Sequence, residues 1–168
     1  LENYKSITKS RHILIVDDDA TTRVILRKML VKDGWHVEEA EHGKDAMECI
    51  NDNKPELILL DLLMPVMDGF ELLNILKADD VWKNIPVIVI TSKDLTEEDY
   101  SFLTKNVDQV IQKGNYTRKE LIGRIDTAIR ASNLKTYQIL TIKFTIRIWM
   151  TNVVFRFFGC NRSMQKTN

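Results

Sequence analysis

Three adjacent carboxylates, Asp17, Asp18 and Asp19, stand directly after the apolar run HILIV. Like charges about 5 Å apart repel each other by on the order of 3 kcal/mol per pair at an effective dielectric constant near 20. Such a cluster therefore either turns its side chains apart into water or holds a cation. Asp19 adjoins the next helical segment, where a carboxylate caps free N–H groups, so we expect Asp19 to begin that helix.

Three further polar residues follow apolar runs in the same way: Asp61 after LILL, Thr91 after VIVI and Lys113 after QVIQ. Carboxylates, a hydroxyl and an ammonium group together suit a divalent cation and a phosphoryl group. Mg²⁺ prefers oxygen ligands, and a lysine and a hydroxyl can bind phosphoryl oxygens. Asp61 is the carboxylate best placed as a nucleophile that forms an acyl phosphate.

The chain alternates apolar runs with segments of helical spacing. The runs are HILIV (12–16), HVEEA (36–40), LILL (57–60), PVIVI (86–90) and QVIQ (109–112). Strand then helix, five times over, predicts an α/β fold with a parallel sheet and helices on both faces. The second run is the most polar and suits a sheet edge, which predicts the flavodoxin-like strand order 2-1-3-4-5. In that winding, ligands bind at the carboxyl ends of strands one and three.

Charge divides the chain into an acidic main part and a basic end. All 24 acidic residues precede residue 132, whereas six of the 24 basic residues follow residue 131, so residues 1–131 carry 24 acids against 18 bases. We predict an N-terminal extension over 1–10, one domain over 11–131 and a basic tail of uncertain origin over 132–168. In the tail, TIKFTIRIW alternates apolar and polar residues, which predicts a strand pairing with a sheet edge, in this or another subunit. A vector-encoded or out-of-frame origin is an equal alternative.

The cysteines, Cys49 and Cys160, lie far apart in unlike surroundings. This spacing indicates neither a disulfide framework nor a zinc site, so a reducing cytoplasm is expected, with tethering to a membrane sensor left open. The late apolar stretch from residue 139 is interrupted by lysine and arginine and is a poor membrane span. The first residue is Leu1 rather than Met, which favours a fragment of a longer protein.

From about residue 11 to 131 the chain resembles the receiver domain of a two-component response regulator. The resemblance rests on the acidic pair after strand one, on LILLDLLMPVMDG around Asp61, and on Thr91 and Lys113 at later strand ends. It implies that Asp61 is the phospho-acceptor and that Thr91 and Lys113 hold the phosphoryl oxygens. It also implies a site for Mg²⁺, with Mn²⁺ as an alternative. The implied ligands are Asp18, Asp61, the backbone carbonyl of Leu63 and, through a water, Asp17.

The resemblance also implies a partner and a role. The phosphoryl donor would be a phosphohistidine on a histidine kinase or a histidine phosphotransfer protein. The domain would be a signalling switch and not an enzyme, because the phosphate stays on the protein. The residues QKG at 112–114 resemble receivers fused to hybrid sensor kinases. The tail shows no recognition-helix pattern, so no direct DNA binding is expected, whereas a dimer is left open. The downstream partner is not identified.

Three positions depart from the family or tune it. Val110 occupies the position where many members have an aromatic side chain that changes rotamer on activation. Leu63 and Lys93 occupy positions that set phosphoryl lifetime, and an apolar Leu63 cannot position an attacking water, which predicts a long-lived acyl phosphate. An Mg²⁺-dependent phosphatase is the main alternative, but it would need an acid at Leu63. A receiver-like interaction module that never accepts phosphate is a third hypothesis.

Overall fold

The computed structural model describes residues 11–158, and within them the side chains of all residues except 139, 140 and 143–158. The extension expected over residues 1–10 lies outside the described residues. Along the described chain five strands alternate with five helices. They are β1 His12–Val16, α1 Ala20–Val31, β2 His36–Ala40, α2 Gly43–Asp52, β3 Leu57–Leu60, α3 Gly69–Ala78, β4 Val87–Thr91, α4 Glu97–Asn106, β5 Gln109–Gln112 and α5 Arg118–Phe158.

The five strands form one parallel sheet in the order β2-β1-β3-β4-β5. The predicted fold class and strand order are therefore confirmed. Four strands have the predicted bounds, whereas β4 begins at Val87, one residue later than expected. Pro86 has no N–H to give to a ladder, and only its carbonyl takes part, accepting from the Ile58 N–H at 3.0 Å.

Both faces of the sheet are covered, as parallel strands require. Leu14 of β1 belongs to one apolar core and its neighbour Ile13 to the other, because successive strand side chains point to opposite faces. Burying one such side chain contributes roughly 1.5–3 kcal/mol, so the two cores together stabilise the sheet from both sides. Helices α2, α3 and α4 contribute Ile50, Leu72 and Leu103 to the first core, and α1 and α5 contribute Leu26 and Leu121 to the second.

Side chains in the loops after the strands cap the helices that follow, among them α1, α3 and α4. Asp19 is the N-cap of α1, and Asp68 caps α3 by accepting from the Glu71 N–H at 2.8 Å. Thr96, the N-cap of α4, forms a capping box with Asp99. A cap of this kind is worth about 1 kcal/mol. The caps therefore hold the loops at the carboxyl edge of the sheet, where the site residues lie.

The strand expected in the tail is wrong. Residues 141–149 are helical and belong to α5, which runs to Phe158. Residues 124–158 contain neither Gly nor Pro, and extending an existing helix costs far less than starting a new element, whereas a lone strand needs a partner edge. The described part of the chain divides into two compact units, and the division lies between residues 132 and 133. Among the described residues, no helix is both long and apolar enough to cross a membrane.

Gly69 supports a test of how the loop after β3 is packed. A Cβ at Gly69 would lie 2.3 Å from the Asp61 carbonyl oxygen and 2.8 Å from the Leu62 Cα, and both are backbone atoms. We expect Gly69→Ala to lower the free energy of unfolding in urea by about 1–3 kcal/mol, since the backbone must shift. Gly123→Ala, on helix α5, is the matched control, because a Cβ at Gly123 would meet no neighbouring residue within 4 Å. The free energy of unfolding of the control should rise by up to about 1 kcal/mol. A similar change in both variants would contradict the close packing of Gly69 against the loop backbone.

Candidate functional site

Strand register brings the first acidic residues together. Val16 pairs with Leu60, so Asp17 and Asp61 leave the sheet side by side, and the Asp61 N–H donates to the Val16 carbonyl at 2.8 Å. One carboxylate oxygen from each of Asp17, Asp18 and Asp61 lies within 4.8 Å of the other two. Asp17 and Asp61 are buried, whereas Asp18 is exposed. The cluster expected from the strand ends therefore forms, with one carboxylate open to solvent.

Lys113 lies between the two buried carboxylates. Its Nζ donates to Asp61 Oδ2 at 2.6 Å and is 2.8 Å from Asp17 Oδ2. Burial raises the pKa of Asp17, and the opposing interaction with Lys113 only partly offsets this effect. Burial acts to lower the pKa of Lys113, but its hydrogen bonds to Asp17 and Asp61 outweigh burial and raise that pKa. The ammonium group is thus held charged among the acids.

The two oxygens of Asp61 have separate partners. Oδ1 accepts from the backbone N–H groups of Leu62 at 2.6 Å and Leu63 at 3.3 Å, while Oδ2 accepts from Lys113. These bonds fix the plane of the carboxylate, which is the first requirement of a positioned nucleophile. The Leu63 side chain is half exposed beside it. The role of the Leu63 carbonyl as a metal ligand stays a prediction.

Asp19 does not join the cluster. Its carboxylate accepts from the backbone N–H groups of Thr21 at 2.9 Å and Thr22 at 3.3 Å, and from the Thr22 hydroxyl at 2.7 Å. These hydrogen bonds, that of the Thr22 hydroxyl foremost, lower the pKa of Asp19. The expectation that Asp19 begins the helix is confirmed. Of the three neighbouring acids, Asp17 and Asp18 belong to the acidic cluster, whereas Asp19 caps α1.

Thr91, Lys93 and Val110 lie together at the ends of β4 and β5, around a cavity of about 290 Å³ that Tyr100 also lines. Thr91 is buried, and its Oγ1 accepts from the Lys93 N–H at 3.2 Å. The Thr91 carbonyl accepts from the Lys113 N–H at 2.9 Å, which joins this group to the acidic cluster through the backbone.

Lys93 is half-buried and has two partners that the sequence did not indicate. Its Nζ is 2.9 Å from Asp99 Oδ2 and 4.6 Å from the centre of the Phe70 ring. A cation over an aromatic face and beside a carboxylate is restrained in position. The charge at this predicted lifetime-tuning position is therefore fixed by α3 and α4.

Arg23 is the residue near the site that the sequence argument missed. It is 7% exposed, and its Nη1 donates to the backbone carbonyls of Asp17 and Asp18. One signal was available, because Arg23 precedes Leu26 and Leu30 by three and seven residues and so lies on the apolar face of α1. A charged residue at such a position needs buried partners.

The cluster can hold a divalent cation. Three carboxylates and one ammonium group leave a net charge of about −2, which a divalent ion would balance, and carboxylate oxygens are hard ligands. The exposed Asp18 leaves an open side for an ion and for a second reactant. Within the described residues this is the single group of three or more acidic, histidine or cysteine side chains close enough to share an ion.

Comparison with known proteins identifies the same region. The family model for the response regulator receiver domain matches residues 13–126. Response regulator MprA of Mycobacterium sp. (strain KMS) is 32% identical over 121 residues, which are 72% of this chain and 51% of MprA. The phosphate regulon transcriptional regulatory protein PhoB of Pseudomonas aeruginosa is 36% identical over 118 residues, covering 70% and 51%. DNA-binding response regulator MtrA of Mycobacterium tuberculosis is 30% identical over 135 residues, covering 80% and 58%.

Solved structures agree with the relatives. The signal receiver domain of a signal transduction histidine kinase from Syntrophus aciditrophicus superposes with a TM-score of 0.65 at 29% identity, covering 71% of this chain and 90% of that one. A CheY-like response regulator receiver domain protein from Methanospirillum hungatei JF-1 gives 0.66 at 26% identity, covering 74% and 97%. The similar structures thus include both a receiver domain of a histidine kinase and a CheY-like receiver domain protein.

The expectation of no direct DNA binding is wrong. MtrA is named a DNA-binding response regulator and PhoB a transcriptional regulatory protein, and this chain spans about half the length of these curated relatives. The expectation rested on the lack of a recognition-helix pattern in residues 132–168. Since relatives of this kind bind DNA, that lack is no argument against DNA binding.

The burial of Asp17 predicts a pH-dependent cost in the metal-free protein. Because burial raises its pKa above 3.8, the ionised carboxylate destabilises the fold at neutral pH, and this cost disappears as pH falls towards 3.8. In chelator, Asp17→Asn should therefore unfold at higher urea than the parent at pH 7, with a gain that shrinks on acidification. The control Asp94→Asn, an exposed acid, should change the free energy of unfolding by less than about 0.5 kcal/mol. A less stable Asp17→Asn at pH 7 would contradict the argument.

Proposed function

Because this chain belongs to the response regulator receiver domain family of two-component signalling, we propose that it is a phospho-accepting switch whose acceptor is Asp61. The observation that carries the proposal is the geometry of Asp61. One oxygen is fixed by two backbone N–H groups, the other is bound by Lys113, and two further carboxylates lie beside it. The receiver unit that we propose is residues 11–131, and the family match lies within it.

In the proposed transfer, an oxygen of Asp61 attacks the phosphorus of a phosphohistidine on a partner kinase or phosphotransfer protein. The O–P bond forms, the P–N bond breaks, and the electron pair of that bond returns to the imidazole ring, which takes up a proton. The product is an aspartyl phosphate. The carboxylate is a competent nucleophile because burial and its hydrogen bonds hold its position, with the Leu62 N–H on Oδ1 and Lys113 on Oδ2.

Two side chains would receive the phosphoryl group. The Lys113 ammonium group, now on Asp61 Oδ2, is placed to move onto a phosphoryl oxygen once that carboxylate oxygen is esterified. The Thr91 hydroxyl, whose oxygen accepts from the Lys93 N–H, would donate its own O–H to another phosphoryl oxygen. Because Thr91 and Lys113 are joined by a backbone hydrogen bond, a shift at one would be transmitted to the other and to the partner-binding face around β4 and β5.

The metal that we propose is Mg²⁺, with Mn²⁺ as a substitute. Asp18, Asp61 and the Leu63 carbonyl would bind it directly, and Asp17 would bind it through a water. When bound, the ion supplies neutralisation of the charge on the phosphoryl oxygens and on the carboxylates. Asp17, Asp18 and Asp61 fit this role by their proximity and by the uncompensated negative charge that remains after Lys113.

In this proposal the signal does not depend on an aromatic side chain that changes rotamer on activation. Val110 carries no ring, and the cavity that it lines beside Thr91 is also lined by Tyr100. The signal would therefore pass through the Thr91 loop and through Lys93, which contacts Asp99 of α4 and Phe70 of α3. The phosphate stays on the chain, so the unit acts as a switch rather than as a turnover catalyst.

Intact mass measurement tests the acceptor. Incubation with Mg²⁺ and acetyl phosphate should add the mass of one phosphoryl group, and this adduct should be absent in Asp61→Asn and in chelator. Asp68→Asn is the matched control, since Asp68 lies in the same loop but caps α3. It should be phosphorylated like the parent, because asparagine also caps helices well. An adduct that survives Asp61→Asn, or none under any phosphodonor, would overturn the assignment.

The lifetime of the phosphoryl group tests the role of Leu63. Its half-exposed apolar side chain cannot hold a water in line with phosphorus, so the acyl phosphate should be long-lived once the donor is removed. Leu63→Asn should speed hydrolysis several-fold, on the modest side of what a group that positions a water achieves.

The matched control for Leu63→Asn is Val66→Asn. Val66 is an exposed residue of the same loop, and its φ of 67° suits asparagine. This control should leave the hydrolysis rate unchanged. Rapid hydrolysis in the parent that Leu63→Asn does not alter would contradict the proposed lifetime.

A further inference from the structure

Arg23 is a buried cation in the second turn of α1, and the proposed function gives it no role. It is 7% exposed, whereas Arg27, one turn later on the same helix, is exposed. A charged side chain that has lost its water needs several hydrogen bonds in return. The partners of Arg23 therefore indicate what its burial is for.

The guanidinium group joins the loop after β1 to the end of β2. Nη1 donates to the Asp17 carbonyl at 2.7 Å and to the Asp18 carbonyl at 3.2 Å. On its other side, Nε donates to Glu39 at 3.3 Å and Nη2 donates to Glu41 at 2.9 Å. Glu39 and Glu41 thus orient the guanidinium group so that its Nη1 faces the backbone carbonyls of Asp17 and Asp18.

These backbone contacts reach the carboxylates of the cluster. A peptide unit is planar, so a carbonyl held in one direction fixes the N–H of the same unit in the opposite direction. The unit that joins Asp18 to Asp19 is held at both ends, by Arg23 at the Asp18 carbonyl and by Asp17 Oδ1, which accepts the Asp19 N–H at 3.0 Å. The other oxygen of Asp17 faces Lys113. Arg23 therefore fixes the backbone that carries the side chains of Asp17 and Asp18.

We propose that Arg23 is a positioning residue for the divalent-cation site, holding the loop so that the Asp17 and Asp18 carboxylates face Asp61. The inference rests on the proposed function, since it concerns the ion that the acidic cluster would bind. Arg23 acts through the backbone and does not contact the ion. Neighbours that orient metal ligands typically change metal affinity by about 10–100-fold when they are altered.

Charge and geometry make opposite predictions for this residue. Removing a cation near three carboxylates strengthens the attraction for Mg²⁺ if only charge matters. Removing the hydrogen bonds that hold the loop weakens Mg²⁺ binding if position matters. Arg23→Gln removes both the charge and the fork of donors, so the direction of the change in Mg²⁺ affinity separates the two effects. Arg23→Lys keeps the charge and loses the fork.

The experiment is calorimetric titration of the metal-free full chain with Mg²⁺ alone. We expect Arg23→Gln to raise the Kd for Mg²⁺ on the order of tenfold and Arg23→Lys to raise it by less. The matched control is Arg27→Gln, which removes a cation that binds the same Glu39 but does not contact the loop carbonyls. Its Kd for Mg²⁺ should stay within about twofold of the parent, or decrease through the charge effect.

Two further readouts separate positioning from a general loss of structure. Urea unfolding in chelator measures the stability of each metal-free variant, and the loss of Mg²⁺ affinity should appear under conditions where the variant is fully folded. Phosphorylation by acetyl phosphate should return to nearly the parent rate when Mg²⁺ is saturating, because the acceptor itself is unchanged. A deficit that persists at saturating Mg²⁺ would contradict a role in holding the metal ligands.

The remaining outcomes are equally decisive. A parent protein that binds no Mg²⁺ would overturn the proposed function and with it this inference. A parent that binds Mg²⁺ while both Arg23 variants bind it equally well or more tightly would overturn the inference alone. Failure of both variants to fold would assign Arg23 a purely structural role and would also overturn it.

Discussion

The repulsion among Asp17, Asp18 and Asp61 is the constraint on which the rest of the structure depends. Two of these carboxylates are buried, and at an effective dielectric constant near 20 each pair costs several kcal/mol at close approach. Lys113 offsets part of that cost by contacting both buried acids. The negative charge that remains suits a divalent cation, which these three carboxylates could hold.

The parallel sheet keeps these groups together. The pairing of Val16 with Leu60 sets Asp17 level with Asp61, and the pairing of Thr91 with Gln112 places Lys113 directly beyond the last rung. Sliding a central strand by one residue would exchange its side chains between the two hydrophobic cores, so the packing of both cores fixes the register and the register fixes the site. Residues far from the pocket thus stabilise an arrangement that would otherwise separate.

Two cations flank the acidic loop, and they act differently. Lys113 contacts the side chains of Asp17 and Asp61, where a phosphoryl group would arrive, whereas Arg23 contacts the backbone of Asp17 and Asp18. The first offsets part of the negative charge of the pocket, and the second is the residue that we propose positions the loop. Arg23 is in turn anchored by the acidic residues Glu39 and Glu41 at the end of β2, so the edge strand contributes to the site although it supplies no ligand.

The sequence by itself determined the strands, their order and the identity of the acids and the lysine, because apolar runs and the residues that follow them are local signals. It did not determine that Asp17 is buried while Asp18 is exposed, nor the partners of Arg23 and Lys93. Those depend on contacts between residues distant in the chain, such as Arg23 with Glu39 and Lys113 with Asp61, 16 and 52 residues apart. Only tertiary packing brings such residues together and shields their contacts from water.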